Sequence, residues 1–122
     1  MMIRANCHCG AVELEIARPP DNVTECNCSI CRRMGAHWAY YAPREVKVIA
    51  RSGATTPYVW GDRTIAFHHC KTCGCMTHWL SLGQVDIGRM GVNARLMDPQ
   101  VVEGVRLRKF DGAVSWTYGD DA

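Results

Sequence analysis

The sequence has no long apolar run and no strong excess of charge of either sign. Its apolar stretches fall short of the roughly 18–20 residues that a membrane-spanning helix needs, so we expect no membrane partner. With 14 basic and 12 acidic residues, the formal charge is +2. That balance argues against a protein that binds nucleic acid through bulk charge. No apolar signal segment precedes Cys7, and we therefore expect a cytoplasmic protein.

The sequence is also short and poor in helical patterns. Its 122 residues, 48% of them hydrophobic, are typical of one globular domain, which we place over residues 1–122. Val12–Ile16 alternates apolar and acidic residues, as in a half-buried strand. Similar short strand signals occur at 38–41, 46–48, 58–60, 65–67, 76–80, 85–87 and 105–108. Helical turns are predicted at 29–34 and after Asp98, where Pro99 takes the first helical position.

Eight cysteines are the main feature of the composition. In a reducing compartment, such a number favours metal binding over disulfides. The cysteines fall into three groups, Cys7–Cys9, Cys26–Cys31 and Cys70–Cys75. Zinc prefers tetrahedral thiolate or imidazole ligands, and two cysteines one or two residues apart supply two thiolates from one tight turn. Gly10 and Gly74 follow such pairs and permit the positive φ of these turns. We therefore predict a closed, structural zinc site formed by Cys7, Cys9, Cys70 and Cys73.

The middle group differs because it offers three thiolates within six residues: Cys26, Cys28 and Cys31. Three protein ligands leave the fourth zinc position open, which is the pattern of catalytic zinc sites. An open position on a thiolate-rich zinc accepts a soft atom, best of all another thiolate. The triplet therefore predicts a second, catalytic zinc that acts on a thiol or thio-adduct. Together the patterns predict a small, mostly β fold of short antiparallel strands stapled by two zinc ions.

Several alternatives stay open on the residues alone. The cysteines could form a disulfide framework, or Cys70, Cys73 and Cys75 could form a triplet that mirrors the middle one. Iron also binds thiolate sites. A further protein ligand could close the second site, and the candidates are His37, His68, His69, His78 and Cys75. The protein would then be a non-catalytic zinc module that binds a thiol or a protein partner.

The cysteine motifs resemble those of the glutathione-dependent formaldehyde-activating enzyme family, also called the centromere-protein-V-like domain. The matching segments are Cys-His-Cys-Gly-Ala-Val at 7–12, Cys-Asn-Cys-Ser-Ile-Cys-Arg-Arg at 26–33 and Cys-Lys-Thr-Cys-Gly at 70–74. The similarity continues through Gly88–Asn93, where the family often has a strand that ends in asparagine, and covers roughly residues 3–110. Cys75 departs from the pattern, since many members have threonine there.

The resemblance implies a mostly β, Mss4-like fold with two zinc ions. Cys7, Cys9, Cys70 and Cys73 would hold the structural zinc, and Cys26, Cys28 and Cys31 the zinc at which substrate binds. The implied reaction is the condensation of glutathione with formaldehyde to S-hydroxymethylglutathione, formally a carbon–sulfur lyase reaction. Glutathione would be the co-substrate, and its carboxylates call for cations beside the open zinc.

Two arginines directly follow the last cysteine of the triplet. Arg32 and Arg33 are candidates to bind the glutathione carboxylates, because a guanidinium forks onto a carboxylate. The alternative for both is a solvated surface pair. The stretch 37–41 that follows contains three aromatic residues and either walls a pocket near the metal or forms a core strand. His68 and His69 are strand histidines or hydrogen-bond donors to a thiolate.

Overall fold

The computed structural model describes residues 2–83 and 87–119, and short strands dominate it. The strands are β1 (Ile3–Asn6), β2 (Val12–Ile16), β3 (Asn22–Cys26), β4 (Trp38–Tyr41), β5 (Val46–Ala50), β6 (Thr55–Tyr58), β7 (Ile65–Cys70), β8 (Met76–Ser81), β9 (Met90–Asn93) and β10 (Arg106–Phe110). The helices are α1 (Ser29–Met34) and α2 (Pro99–Val102), with 3₁₀ turns at Pro43–Glu45 and Ala94–Leu96. Across these described ranges, no helix is long and apolar enough to span a bilayer.

The strands form two sheets. The small sheet is antiparallel with the order β1-β2-β5. Its strand β2 buries Val12, Leu14 and Ile16 and leaves the intervening glutamates half-buried, as the alternation predicts. The large sheet has the order β10-β3-β4-β9-β8-β7-β6.

The main core lies on one face of the large sheet, against the small sheet. Successive residues of a strand point to opposite faces, and β4 follows this rule. Ala39 and Tyr41 belong to the main core with Leu14 and Ile16 of the small sheet. Trp38 and Tyr40 point to the other face, where a second cluster contains Cys31, Phe67, Met76 and Trp79. The large sheet therefore carries the stabilising core on one face and the middle cysteine group on the other.

The predicted mostly β class is confirmed, with one correction to its strand pairing. β10 pairs with β3 in parallel, whereas the other pairings of the described strands are antiparallel. The connection from β3 to β10 passes through most of the chain, so no hairpin constrains the direction of this pair. The strand expected at 58–60 lies at Thr55–Tyr58. The one expected at 85–87 falls mostly on residues outside those described.

Both predicted helical segments are present, and each starts with a side-chain cap. The Cys28 side chain caps α1 by accepting from the Cys31 N–H. The Asp98 side chain caps α2 by accepting from the Gln100 N–H, with Pro99 at the first position. A cysteine that caps a helix directs its sulfur toward the N–H groups of the first turn. This arrangement places the sulfur of Cys28 beside that of Cys31.

Candidate functional site

The first cysteine cluster comprises Cys7, Cys9, Cys70 and Cys73 and lies between the tips of two hairpins. One tip connects β1 to β2 in the small sheet, and the other connects β7 to β8 in the large sheet. Gly10 and Gly74 have φ values of +83° and +82° in these turns, as their positions predict. Each glycine N–H donates to the carbonyl of the first cysteine of its turn, at 3.1 and 2.9 Å. The cluster therefore links the two sheets.

The spacing of these four sulfur atoms fits a tetrahedral zinc ion. All four lie within 4.8 Å of one another, and the Cys9 Sγ is 3.7 Å from that of Cys7 and 3.6 Å from that of Cys70. Four sulfurs about 2.3 Å from a central zinc would lie about 3.8 Å apart. Cys7 and Cys70 are fully buried. The N–H groups of Cys75 and Cys9 lower the pKa of Cys73 to about 5, which favours the thiolate that a metal needs.

The second cluster comprises Cys26, Cys28 and Cys31 and comes from one short segment. Cys26 ends β3, Cys28 caps α1 and Cys31 lies inside that helix. The three sulfurs lie within 4.8 Å of one another. The structure thus brings together both cysteine sets that the sequence predicts, and each set could hold a metal ion.

Each sulfur of the second cluster accepts at least one N–H. The Cys28 N–H donates to Cys26 and the Cys31 N–H to Cys28, both at 3.5 Å, and the Trp38 indole N–H donates to Cys31 at 3.3 Å. A hydrogen bond from the Cys31 thiol, with backbone N–H groups of Cys28 and Gly112, lowers the pKa of Cys26 to about 6. The same pairing and burial raise the pKa of Cys31. These donors suit a cluster of thiolates around a cation.

The described residues supply the second cluster with no fourth protein ligand. No histidine, carboxylate or further cysteine among them joins the three sulfurs within the same distance. His68 and His78 stack face to face across β7 and β8, with ring centroids 4.7 Å apart. The Nδ1 atom of each shares a hydrogen bond with a threonine hydroxyl, at 3.0 Å for His68 and 2.8 Å for His78. Cys75 lies outside both clusters.

A pocket of about 540 Å³ opens beside the second cluster, and we call it the cysteine pocket. Its lining residues are Glu25, Cys26, Asn27, Cys31, Arg32, Met34, Gly35, Ala36, His37 and Arg95. His37 Nε2 and Glu25 Oε2 form an ion pair or hydrogen bond at 3.1 Å on its wall. Of the two predicted arginines, Arg32 lines the pocket. Arg33 does not, and its guanidinium donates to the Ser29 carbonyl at 2.9 Å.

Sequence reasoning missed Arg95 as part of this pocket. It lies on the 3₁₀ turn that follows β9, more than sixty residues from the cysteines. The buried Asn93 brings it there, because its side-chain oxygen accepts from the N–H groups of His37 and Arg95, both at 3.2 Å. The strand that ends in asparagine is present as the resemblance implies, but the sequence analysis gave Arg95 no role.

Comparison with known proteins agrees with the motifs. The model of the glutathione-dependent formaldehyde-activating enzyme family matches residues 2–105. The chain belongs to this family. A crystal structure of a Rhodobacter sphaeroides protein superposes with a TM-score of 0.70 at 31% identity, covering 86% of this chain and 99% of that one. The resemblance predicted from the cysteine motifs is thereby confirmed.

The segment of this family member that follows the matched residues 2–105 packs on the second cluster. The Asn27 side chain donates to Asp111 and accepts from the Ala113 N–H, both at 3.0 Å. A Cβ atom added to Gly112 would lie 2.7 Å from the Cys26 sulfur. We call residues 111–118 the C-terminal clasp. Fraying is common in the last residues of a chain, which is why sequence reasoning overlooked this segment.

The clasp is held in place at both ends. Asp111 accepts from the N–H groups of Val114 and Ser115, both at 3.2 Å. The Tyr118 hydroxyl shares a hydrogen bond with the Thr24 hydroxyl at 3.1 Å, and the Tyr118 ring packs on Phe110 at 4.9 Å. From its terminal position alone, the sequence predicts a frayed end over residues 115–122. That prediction is wrong for residues 115–118, which are held by these hydrogen bonds and ring contacts. The parallel pairing of β10 with β3 returns the chain to the second cluster.

Proposed function

We propose that this protein is a zinc-dependent enzyme of the carbon–sulfur lyase type, resembling S-(hydroxymethyl)glutathione synthase. It would join a thiol, glutathione or a close analogue, to an aldehyde, or run the reverse cleavage. The observation that carries the proposal is a three-sulfur cluster without a fourth ligand among the described residues, placed at the wall of a pocket. A closed, purely structural site would have no such opening.

The two clusters would hold their metals for different purposes. Cys7, Cys9, Cys70 and Cys73 would hold a structural zinc, and Cys26, Cys28 and Cys31 a zinc with an open position. When bound there, zinc supplies the positive charge that keeps an incoming thiol in the thiolate form at neutral pH. Both sites require reduced cysteines, which agrees with a proposed location in the reducing cytoplasm.

The reaction requires one new bond and one proton transfer. The thiolate sulfur donates an electron pair to the aldehyde carbon, the C–S bond forms, and the carbonyl π electrons move to oxygen, which takes up the proton lost by the thiol. His37, paired with Glu25 at 3.1 Å, is the imidazole on the pocket wall that can give or take this proton. Arg32 would bind a carboxylate of the thiol.

The first test is metal content together with a glutathione titration on protein purified without chelator. We expect about two zinc per chain and saturable glutathione binding that Cys28→Ser abolishes along with about one equivalent of zinc. Cys75→Ser is the matched control, since Cys75 lies outside both clusters, and it should keep both properties. Two zinc without glutathione binding would contradict glutathione as the substrate and favour a non-catalytic module.

The two neighbouring arginines provide a second, paired test. Arg32→Ala should weaken glutathione binding about tenfold, because a charge-assisted hydrogen bond is lost. Arg33→Ala should leave binding unchanged, since Arg33 contacts its own helix rather than the pocket. Equal losses in both variants would indicate a general effect of surface charge and refute a specific carboxylate contact.

A further inference from the structure

A second depression adjoins the cysteine pocket, and we call it the apolar recess. Its volume is about 240 Å³, and it shares His37 and Arg95 with the cysteine pocket. Its other lining residues are all apolar: Val23, Ala94, Met97, Pro99 and Val102. The two shared residues place the recess directly beside the cysteine pocket. A ligand whose sulfur meets the cysteines can therefore extend past His37 and Arg95 into apolar surroundings.

Arg95 lies at the junction of the two spaces with its charge free for a ligand. Within residues 2–83 and 87–119, the structure gives the guanidinium of neither Arg95 nor Arg32 an ion pair or a hydrogen bond. The acidic residue of the pocket, Glu25, is already paired with His37. A free guanidinium beside an apolar wall favours a planar anion such as a carboxylate.

The junction is preformed rather than dependent on the ligand. The Asn93 side chain is 6% exposed and also donates to the Met76 carbonyl at 2.9 Å. The Ala94 N–H donates to the His37 carbonyl at 2.7 Å. These bonds fix the backbone of both shared residues at the end of β9 and the start of β4. A wall fixed in this way reduces the entropy lost when a ligand is ordered against it.

We propose that the ligand of the second cluster carries an anionic group bound by Arg95 and an apolar group that occupies the apolar recess. This inference rests on the proposed function and narrows its substrate class. Glutathione itself has no apolar group of that size, so glutathione with formaldehyde would leave the recess empty. The apolar group would come from an aldehyde larger than formaldehyde or from a thiol other than glutathione.

Two series of probes, measured by calorimetry on the zinc-loaded protein, separate these sources. S-methyl-, S-butyl- and S-hexylglutathione place the apolar group where an aldehyde would, and mercaptoalkanoates of increasing length place it in the thiol. Burial of a methylene strengthens binding by about threefold to fourfold. We expect the affinity to rise roughly 30- to 60-fold over three added methylenes in one of the two series, for example from S-methyl- to S-butylglutathione. The series in which affinity increases with chain length shows whether the apolar group belongs to the aldehyde or to the thiol. If affinity is independent of chain length in both series, the inference is wrong.

Matched variants test whether the increase in affinity with chain length arises in the apolar recess. Val101 and Val102 are adjacent, half-buried and both packed on the main core, but only Val102 lines the recess. Val102→Ser should remove most of the chain-length gain, and Val101→Ser should keep it at a similar thermal stability. Arg95→Gln should weaken every carboxylated probe about tenfold without changing the gain per methylene. If the increase in affinity with chain length persists in Val102→Ser, the apolar group does not bind in the apolar recess.

The inference and the proposed function fail differently. Loss of unmodified glutathione binding in Cys28→Ser tests the open site alone. If unmodified glutathione binds but the affinity does not change with the length of the apolar chain, the proposed function is retained and the role of the recess is refuted. A chain-length response in Cys28→Ser as strong as in the unaltered protein would show that the recess binds apolar groups without the cysteines, which contradicts a single ligand that spans both.

Discussion

A methyl group at position 112 would test whether the C-terminal clasp shapes the second cysteine cluster. A Cβ atom on Gly112 would lie 2.7 Å from the Cys26 sulfur and 3.3 Å from the Cys28 Cβ. Real Cβ atoms do not approach a sulfur that closely, so either the sulfur or the clasp must move. The clasp resists movement because Asp111 is held by Asn27 and by the N–H groups of its own turn. We therefore expect Gly112→Ala to displace Cys26.

The size of the effect follows from the contacts that are disturbed. The pKa of Cys26 is lowered to about 6 mainly by the hydrogen bond from Cys31, and the backbone N–H groups of Cys28 and Gly112 add to this effect. The alanine keeps this N–H, but a displaced Cys26 sulfur would no longer accept it in the same geometry, and disturbing such an outer contact typically weakens metal affinity about 10- to 100-fold, or about 1.4–2.7 kcal/mol. The contacts described for the clasp go to β3, to Asn27 and to Phe110, so the first cluster should keep its affinity. The assay is competition for zinc with a chromophoric chelator, together with the absorption spectrum of the cobalt-substituted protein, which reports thiolate coordination.

Gly119→Ala is the matched control, since its added Cβ would make only an ordinary contact, 3.9 Å from the Lys109 carbonyl. It should bind two metal ions with unchanged affinities. If Gly112→Ala also retains both affinities and an unchanged cobalt spectrum, the clasp does not position Cys26 and the reasoning is wrong. If both affinities fall equally, the variant has destabilised the whole fold.

Three further predictions test the fold around the site. Gly91→Ala should lower the free energy of unfolding by about 1–3 kcal/mol in chemical denaturation, because its Cβ would overlap the buried Trp79 indole. Gly83→Ala is the control: its Cβ would meet open space, and the free energy of unfolding should change by less than about 0.5 kcal/mol. Cys73→Ser should remove most of the free energy of unfolding, which is roughly 5–15 kcal/mol for a small domain. Cys28→Ser should leave the melting transition largely intact. If both variants unfold equally, the division between a structural and a catalytic site is refuted. Burial lowers the pKa of His78 to about 4, so the unfolded chain binds the proton first as the pH falls below about 6.5. The stability contributed by neutral His78 is therefore complete above that pH and decreases below it. Between pH 7 and pH 4, the free energy of unfolding of the unaltered protein should fall by about 3 kcal/mol more than that of His78→Gln. If the free energies of unfolding of the two proteins depend on pH in the same way, the lowered pKa of His78 is contradicted.

The parts of the site that the sequence predicts are those set by local spacing. Cys26, Cys28 and Cys31 are separated by one and two residues, and a helix that starts at the cap Cys28 brings their sulfurs together wherever the segment lies. The paired turns of the first cluster are equally local, each with a glycine at positive φ. Which two turns share a metal is not determined locally. That pairing was predicted from the coordination of zinc, because each turn offers only two of the four ligands of a tetrahedral site.

The parts that the sequence did not reveal depend on contacts between distant segments. Arg95 reaches the cysteine pocket through the hydrogen bonds of Asn93, and neither residue has a periodicity that points to a site. The clasp reaches Cys26 because β10 adds to the edge of the large sheet in parallel. Arg33 shows the converse, since its nearness in sequence to Cys31 suggested a contact that the turn of the helix prevents.

The topology also supports the proposed division between a structural first cluster and a catalytic second cluster. The first cluster joins Cys9 to Cys70, 61 residues apart and in turns of different sheets, so its closure restricts a large part of the chain and its metal would contribute directly to folding. Four sulfurs also leave no position for a ligand. The second cluster lies within six residues, and the fold around it is held by the core on the opposite face of the large sheet. A ligand exchange there leaves this main core untouched, because the core and the second cluster lie on opposite faces of the sheet.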